Sequence, residues 1–467
     1  MKKLLFIALS FKLNLLFSQQ NWDLEQCINY AKNHNIGLKQ AALNNEINKN
    51  NTDQSKASVL PSLNAGASHA YNFGQTIDRF TNTFANTQVL SQNFYLSSNV
   101  TLWSGLSQYN TIKANEFNYQ SGIERLKQQE YDLALSIANA YISVIFSEEL
   151  LKTSINQLTV TKEQLTRTEK LVLAGALAKS AEFDLKAQLA NEEVNATNAE
   201  NNYQLSLLNL TQLMNLDSVT NFNISRPEII IDENLSSNNA VTSIYDAALK
   251  NQPSIKSGEY QVLSADKTLA ASKGRISPIL SFNASLGTGT SGLAKRETGE
   301  YYFVTQSLET NAGTLNYQTR VPVLEKTPFA EQFKDNINKS IGFSLTVPLF
   351  NGLQTLTSVK NAKLSILNAR FNQDLNKQNL YKNIVQAQAN AKAALNKYVA
   401  NKSSVDAAQE SFKYAQQKFN AGAISAFDFN SAKSRLFISE SNLIQAKYDY
   451  IFKLKVLDYY QGKPLNF

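Results

Sequence analysis

Two stretches of 68 residues, Leu106 to Leu173 and Leu353 to Asn420, contain no proline and between them a single glycine, Gly122. Proline breaks a helix and glycine weakens one, so both stretches are free to run as unbroken helix, each about 100 Å long at about 1.5 Å per residue. Apolar residues recur every seventh place, at Ile137, Val144, Leu151, Leu158, Leu165 and Val172, and again at Ile384, Ala391, Tyr398, Val405, Phe412 and Phe419. A seven-residue stripe keeps one seam turned toward a partner helix, which is coiled-coil packing. After Ala174-Gly175-Ala176 and Ala421-Gly422-Ala423 the helical pattern resumes, to about Asn215 and Tyr460. Glycine just past a helix end permits the left-handed turn that reverses the chain, so each stretch and its successor form a long helical hairpin.

The hairpins are copies. Adding 247 to the first heptad list gives the second, and the same offset pairs Trp103-Ser104-Gly105 with Phe350-Asn351-Gly352, Glu193 with Glu440, and Tyr203 with Tyr450. Upstream the offset is 217, pairing Ala31 with Ala248, Leu38 with Ile255 and Pro61 with Pro278. The difference, 247 − 217 = 30, places one 30-residue insertion between Pro278 and Gly352. The chain is an internal duplication.

Each copy also carries two segments of period two. Leu63, Ala65, Ala67, Tyr71 and Phe73 fall opposite Asn64, Gly66, Ser68 and Asn72; Phe94, Leu96, Val100 and Leu102 fall opposite Asn93, Ser97, Asn99 and Thr101. In the second copy Leu280, Phe282, Ala284 and Leu286 oppose Ser281, Asn283 and Ser285, and Ile341, Phe343, Leu345, Val347 and Leu349 oppose Ser340, Gly342, Ser344 and Thr346. Such alternation over about ten residues is a strand with one apolar and one wet face, the pattern of a transmembrane barrel strand. His69 breaks the apolar face of the first strand and fits an interfacial position near the rim. A barrel in lipid must close, and four strands are too few, so the chain has to pool strands with copies of itself. Polar inner faces on a barrel of more than about eight strands leave room for water, so the assembly is expected to be a channel.

Met1 to Ser18 has two early lysines and an apolar core, and reads as a secretory signal peptide. No later stretch is expected to reach the ~18 to 20 apolar residues of a spanning helix. Cys27, preceded by Glu25 and Gln26, reads as a small packed hydrophobe and not as a lipid attachment point. Two His and one Cys exclude zinc fingers, iron–sulfur clusters and a disulfide framework within one chain, so no metal or cofactor is expected. Without Lys2, Lys3 and Lys12 of the leader the balance is 42 − 38 = +4, too small to argue for nucleic acid. Gly462-Lys463-Pro464 lacks the rest of a phosphate loop, and the acids are scattered without a paired pocket, so no enzyme is expected.

The order signal, helix, Pro-initiated strand, strand ending in Leu349-Phe350-Asn351-Gly352, 68-residue helix, Ala-Gly turn and return helix, twice over, resembles the TolC outer membrane factor family. The resemblance covers nearly the whole mature chain. It implies a mainly α fold with a transmembrane β component, each repeat giving two barrel strands and one coiled-coil hairpin. It also implies a homotrimer forming one 12-stranded β-barrel on an α-helical tunnel in the outer membrane of a Gram-negative-type bacterium, with the helices in the periplasm. The implied role is the exit duct of a tripartite efflux pump or type I secretion system, docked to a periplasmic adaptor and an inner-membrane transporter. The turns that meet the adaptor in that family match Gly175, Ala176, Leu177, Gly422, Ala423 and Ile424, and glycine and alanine there also permit close approach of another backbone. The family's tunnel closes through acidic residues on the inner return helix. Asp428 matches the first of them, Ser431 stands where a second acid is expected, and Asp184 is the candidate in the first copy. The competing reading is a periplasmic coiled-coil adaptor or scaffold with no channel of its own, which leaves the four amphipathic strands unused.

The expected boundaries are a signal peptide at 1–18 and a first repeat at 19–215, with strands near 62–74 and 93–103, long helix 106–173 and a return helix to 215. A linker or equatorial segment, 216–240, follows. The second repeat, 241–460, has strands near 278–288 and 339–350, an outside loop 291–338, long helix 353–420 and a return helix to 460. Residues 461–467 are the tail.

Overall fold

The computed structural model describes residues 21–86, 88–216, 222–227, 231, 241–311, 313–463 and 465. The signal peptide, most of the 216–240 linker and part of the tail lie outside the described residues. The first repeat runs β1 (Asn21–Trp22), α1 (Leu24–His34), α2 (Ile36–Ala57), β2 (Ser62–Asn72), β3 (Thr76–Asp78), β4 (Thr83–Ala85), β5 (Val89–Trp103), α3 (Ser107–Leu173) and α4 (Lys179–Met214). After β6 (Asn223–Ile224), the second repeat runs α5 (Val241–Asn251), α6 (Pro253–Gly274), β7 (Ile279–Ser291), β8 (Lys295–Thr310), β9 (Gly313–Lys326), α7 (Phe329–Asp335), β10 (Asn338–Thr346), α8 (Gln354–Asn420) and α9 (Ala426–Gln461). Residues 291–338, expected as a loop, carry a long hairpin, β8 and β9, and the short helix α7. The hairpin's strands have 16 and 14 residues, which matches the inserted thirty.

Two compact units divide the chain: residues 1–48, 118–262 and 368–467, and residues 49–117 and 263–367. The first unit is helical and has two cores. One gathers Leu24, Cys27 and Ala31 of α1, Ile137, Tyr141 and Val144 of α3, and Leu207, Leu210 and Met214 of α4. The other gathers Ile244 and Ala248 of α5, Ile255 of α6, Ile384 and Ala391 of α8, and Leu457 of α9. Ala31, Ile137, Val144 and Leu210 of the first correspond by repeat position to Ala248, Ile384, Ala391 and Leu457 of the second. The duplication therefore supplies each half with its own apolar centre. Cys27 is fully buried within the first, and burial pushes its thiol up to about 12.

Contrary to the expectation from sequence, α3 does contain an 18-residue window apolar enough to pass for a membrane span, at a mean hydropathy of 1.3. Half of that window is buried in the protein, because the run from Ala134 to Ile145 supplies the first core and so spends its hydrophobicity on packing. Toward its C-terminal end α3 has a second seven-residue stripe three places after the apolar one: Ser147, Ser154, Thr161 and Thr168, all buried. Ser147 and Ser154 donate back to the carbonyls four residues earlier, at 2.7 and 2.9 Å, and Thr161 gives its hydroxyl proton to the buried Glu192 carboxylate. Small hydroxyls with their own backbone partner let neighbouring helices approach without leaving an unpaired polar group.

The second unit holds a four-stranded antiparallel sheet in the order β10-β7-β5-β2. Its register sorts side chains into two faces. One carries Asn64, Ser97, Asn99, Asn283, Ser285 and Ser340, with Asn99 donating to Asn283 at 2.6 Å. The other carries Leu63, Leu96, Phe282, Ile341, Phe343 and Leu345, of which Ile341 and Phe343 are 78% and 72% exposed. A bulge between Thr101 and Trp103 sets Trp103 beside Leu280, on the apolar face. The edge strands β2 and β10 each pair on one side only. One end of the sheet leads into helices, through α2, α3, α6 and α8; the other carries the connections. There the β3–β4 turn lays Phe80 against Gly289 on the polar face, fixed by buried Asp78, which accepts from the Phe80 N–H at 3.0 Å and from the Ser291 hydroxyl.

Candidate functional site

The two turns named from sequence share one geometry. Gly175 and Gly422 have φ of +72° and +73°. In each turn the glycine N–H bonds the carbonyl three residues back, Val172 or Phe419 at 3.0 Å. The next N–H bonds the carbonyl five back, Ala176 to Leu171 at 2.9 Å and Ala423 to Lys418 at 2.8 Å. These are Schellman caps, which satisfy the last carbonyls of α3 and α8 and require a left-handed residue where glycine stands. Gly175, Ala176, Gly422 and Ala423 are exposed, while Leu177 and Ile424 turn partly inward. No atom lies within 4 Å of the Cβ position at either glycine. The backbone conformation, not crowding, accounts for glycine there.

Asp428 is exposed and stands in the first turn of α9. Ser425 is the N-cap: its hydroxyl donates to the Asp428 carboxylate at 2.7 Å and accepts from the Asp428 N–H at 3.1 Å. That reciprocal arrangement caps the helix and places a negative charge at the positive end of its dipole. Asp184 is also exposed and lines an open groove between α4 and α9 with Asn191, Phe427, Ser431 and Arg435. Asp428 adjoins that groove in sequence, between Phe427 and Asn430, which line it.

The chemistry missing from the sequence reading lies beneath these surfaces. Lys433 of α9 and Glu192 of α4 are each 3% exposed, and Thr161 of α3 is 1% exposed. The Lys433 ammonium lies 3.4 Å from the Glu192 carboxylate and donates to the Gln157 carbonyl at 3.1 Å and to the Thr161 hydroxyl. Glu192 accepts in turn from Thr161 and, at 2.8 Å, from Gln188. Burial pulls the Lys433 ammonium below the usual lysine range, and the carboxylate beside it opposes that shift. One charge pair thus ties the start of α9 to both α3 and α4. Lys186, at the equivalent place in the first repeat, is exposed and pairs with Glu182 at 2.7 Å on its own helix and with Glu169 of α3 at 3.4 Å. A stack of Phe419 on Phe429, 4.7 Å between ring centres, holds α9 to α8 at the same level of the chain.

Comparison with known proteins agrees with this architecture. The family model described as "Outer membrane efflux protein" matches residues 27–216 and 244–459. Outer membrane protein TolC of Escherichia coli (strain K12) is 22% identical over 466 residues, covering 97% of this chain and 84% of that protein. Alkaline protease secretion protein AprF of Pseudomonas aeruginosa is 20% identical over 416 residues, covering 87% of this chain and 77% of that protein. Among solved structures, CusC superposes with a TM-score of 0.76 at 15% identity over 96% of both chains, which establishes a common fold.

Proposed function

From the premise that this chain belongs to the outer membrane efflux protein family, and is thereby a channel of the outer membrane, we propose that three copies close one barrel around an aqueous duct. The observation that carries this reading is the sheet with one polar face, one exposed apolar face and two open edges. Unpaired backbone groups in hydrocarbon cost several kcal/mol each, so those edges must be met. From β10 through β7 and β5 to β2 the direction alternates, leaving β10 antiparallel to β2. A neighbour's β2 therefore continues the ladder on β10 without changing its type. Three copies of four strands supply twelve, the polar face lines the lumen and the apolar face meets lipid.

The finer assignments follow from the same reading. The hairpin turns at Gly175, Ala176, Leu177, Gly422, Ala423 and Ile424 meet a periplasmic adaptor that couples the duct to an inner-membrane transporter. Threefold symmetry gathers three copies each of Asp428 and Asp184 around the tunnel end as its gate. The repeats are bounded as the sequence suggests, with 216–240 joining them. The duct is passive and converts no substrate. AprF carries secretion in its name, and for this chain export of drugs or of proteins fits the same geometry.

Purified protein reconstituted in planar bilayers tests the reading. A trimer in detergent with stepwise ion conductance is expected; a stable monomer that needs no detergent overturns it. Crosslinking from Ala176 or Ala423 in cell envelopes is expected to capture an adaptor with a coiled-coil hairpin.

A further inference from the structure

The short helix α7 stands apart from the surface loop that the sequence suggests, because it is built onto the sheet. β10 begins at Asn338, opposite Gly287 of β7. Beyond that point the outer edge of β7 has no strand partner, and α7 side chains take its place. Gln332, 6% exposed, accepts from the Ser291 N–H at 2.8 Å and donates to the Ser291 carbonyl at 3.1 Å. It also donates to the Thr327 carbonyl at 2.8 Å, and Asn336 donates to the Gly289 carbonyl at 2.7 Å. Thr288 donates to the Phe333 carbonyl at 2.6 Å.

These contacts fix which face α7 covers. Thr288 is level with Phe94 of β5, and both lie on the apolar face with Phe282 and Leu286. Phe329 and Phe333 pack on Phe94, ring centres 6.2 and 5.4 Å away. They remain 51% and 38% exposed. Phe94 belongs to β5, a central strand, so the rings lie over the chain's own sheet, while Gln332 and Asn336 occupy the edge of β7 that β10 leaves open.

The height of this contact is set by the strands themselves. Trp103, beside Leu280, marks the end of the apolar face nearest the helices. From Leu280 to Thr290 along β7 is ten residues, about 34 Å of strand, or about 26 Å along the barrel axis at a tilt of about 40°. An outer-membrane barrel has an apolar band about 25 Å tall. The row at that height is polar: Thr290 donates to Gln92 at 2.8 Å, and Gln92 bonds His69 at 2.9 Å. One row lower lies Phe94, under the two rings of α7. Lys339 stands on the same face level with Leu286, inside the apolar band, where its stem must carry the ammonium outward to the polar layer beside α7.

We propose that α7 is an interfacial anchor, its Phe329 and Phe333 seated in the outer margin of the bilayer between acyl chains and lipid headgroups. The partner is the outer leaflet itself. This rests on the reading of the apolar face as the lipid face, and it adds a non-strand element whose task is to fix how deep the barrel sits. Aromatic rings that are half covered by protein and half open favour the layer where one side is apolar and the other wet.

The test is nitroxide accessibility on the full chain in phospholipid bilayers, comparing F329C, I341C and Y302C. Cys27 is fully buried and does not compete for the label. Accessibility to oxygen relative to a water-soluble nickel chelate is expected to be highest at I341C, lowest at Y302C in the hairpin, and severalfold above Y302C at F329C. A value at F329C equal to that at Y302C overturns the proposal, as does shielding from both reagents, which is what a subunit contact produces. If I341C itself is not lipid-accessible, the bilayer reading of the face fails instead. F329W keeps the ring, and the emission it adds to that of the wild type is expected to be quenched by lipids brominated near the carbonyl. No quenching of that added emission overturns the anchor.

Discussion

Replacing Lys433 by Met tests how α9 is held to its neighbours. Methionine keeps the apolar stem and removes the ammonium, which leaves Glu192 buried with only the Gln188 and Thr161 donors. At 3.4 Å and an effective dielectric near 20, two unit charges attract by about 5 kcal/mol. Against this stands the cost of burying the lysine, and the lowered proton affinity of Lys433 shows that this cost is felt. Removing one partner of a buried pair nevertheless costs about 3 to 5 kcal/mol, because the remaining charge has no counter-ion. Backbone amide exchange near Lys433 in α9 and Thr161 in α3 is therefore expected to accelerate by about two to three and a half orders of magnitude, at about 1.4 kcal/mol per tenfold. The double variant K433M/E192L replaces both charges by apolar groups and is expected to recover most of the protection, since a buried pair is often no better than a packed hydrophobic one. A coupling above about 2 kcal/mol in the resulting cycle is the quantitative mark of direct contact. If K433M changes exchange by less than about threefold, or if the single effects merely add, the pair does not hold the helix.

Three further outcomes follow from the geometry. Phe343→Arg on the apolar face of β10 is expected to destabilise the membrane-inserted protein by about 2 to 4 kcal/mol, while Asn283→Arg on the opposite face leaves insertion intact and changes conductance; equal loss of insertion in both would contradict the facing. Gly175→Ala and Gly422→Ala place a Cβ at φ of +72° and +73°, so each is expected to cost about 1 kcal/mol, read as faster amide exchange in the adjoining turn. Burial raises the Glu440 carboxyl above its ordinary range, so the folded state binds that proton more tightly than the unfolded one. Stability from this group should therefore grow as pH falls from above the folded value toward the ordinary carboxylate range, and denaturation curves of Glu440→Gln should lose that slope.

What was legible in the chain were the features that repeat along one dimension. A period of seven in α3 and α8 and a period of two in β2, β5, β7 and β10 declare themselves because one face of each element is chemically constant. The β8–β9 hairpin was not legible for the converse reason. Tyr301-Tyr302-Phe303-Val304 is continuous, and every residue of β8 is exposed, so no burial imposed alternation on it. Trp103 was assigned no face because a bulge is one extra residue, and nothing in Thr101-Leu102-Trp103 marks where it falls. The stripe from Ser147 to Thr168 is not legible because hydroxyl residues read as exposed in a sequence; in the fold Ser147 and Ser154 are buried with a backbone carbonyl as partner. By contrast, Ser425 and Asp428 have the spacing of a capping box, and that signal was present in the sequence.

The candidate site shows where a duplicated chain keeps its symmetry and where it gives it up. The core positions agree between halves, Ile137 with Ile384 and Leu210 with Leu457, because both halves solve the same packing problem. Near the turns the correspondence fails in kind. Asp184 stands where the second copy has Ser431, Glu192 where it has Ser439, and Thr161 where it has Ala408. Lys433 and Lys186 match in sequence and each reaches a carboxylate on another helix at 3.4 Å, yet the Lys433 pair is buried and the Lys186 pair with Glu169 lies open to solvent. The first copy supplies the carboxylate and hydroxyl, and the second supplies the ammonium. Glycine at the turns is required by positive φ, and Asp428 is accounted for by its place beside the N-cap Ser425 at the positive end of α9, so neither by itself identifies a gate. The buried pair has no such local requirement: it joins residues 241 apart and exists only because the halves differ. Charged and hydroxyl residues near the turns thus differ between the copies at positions where each copy's own backbone would accept either residue, while core pairs such as Ile137 with Ile384 and Leu210 with Leu457 are kept.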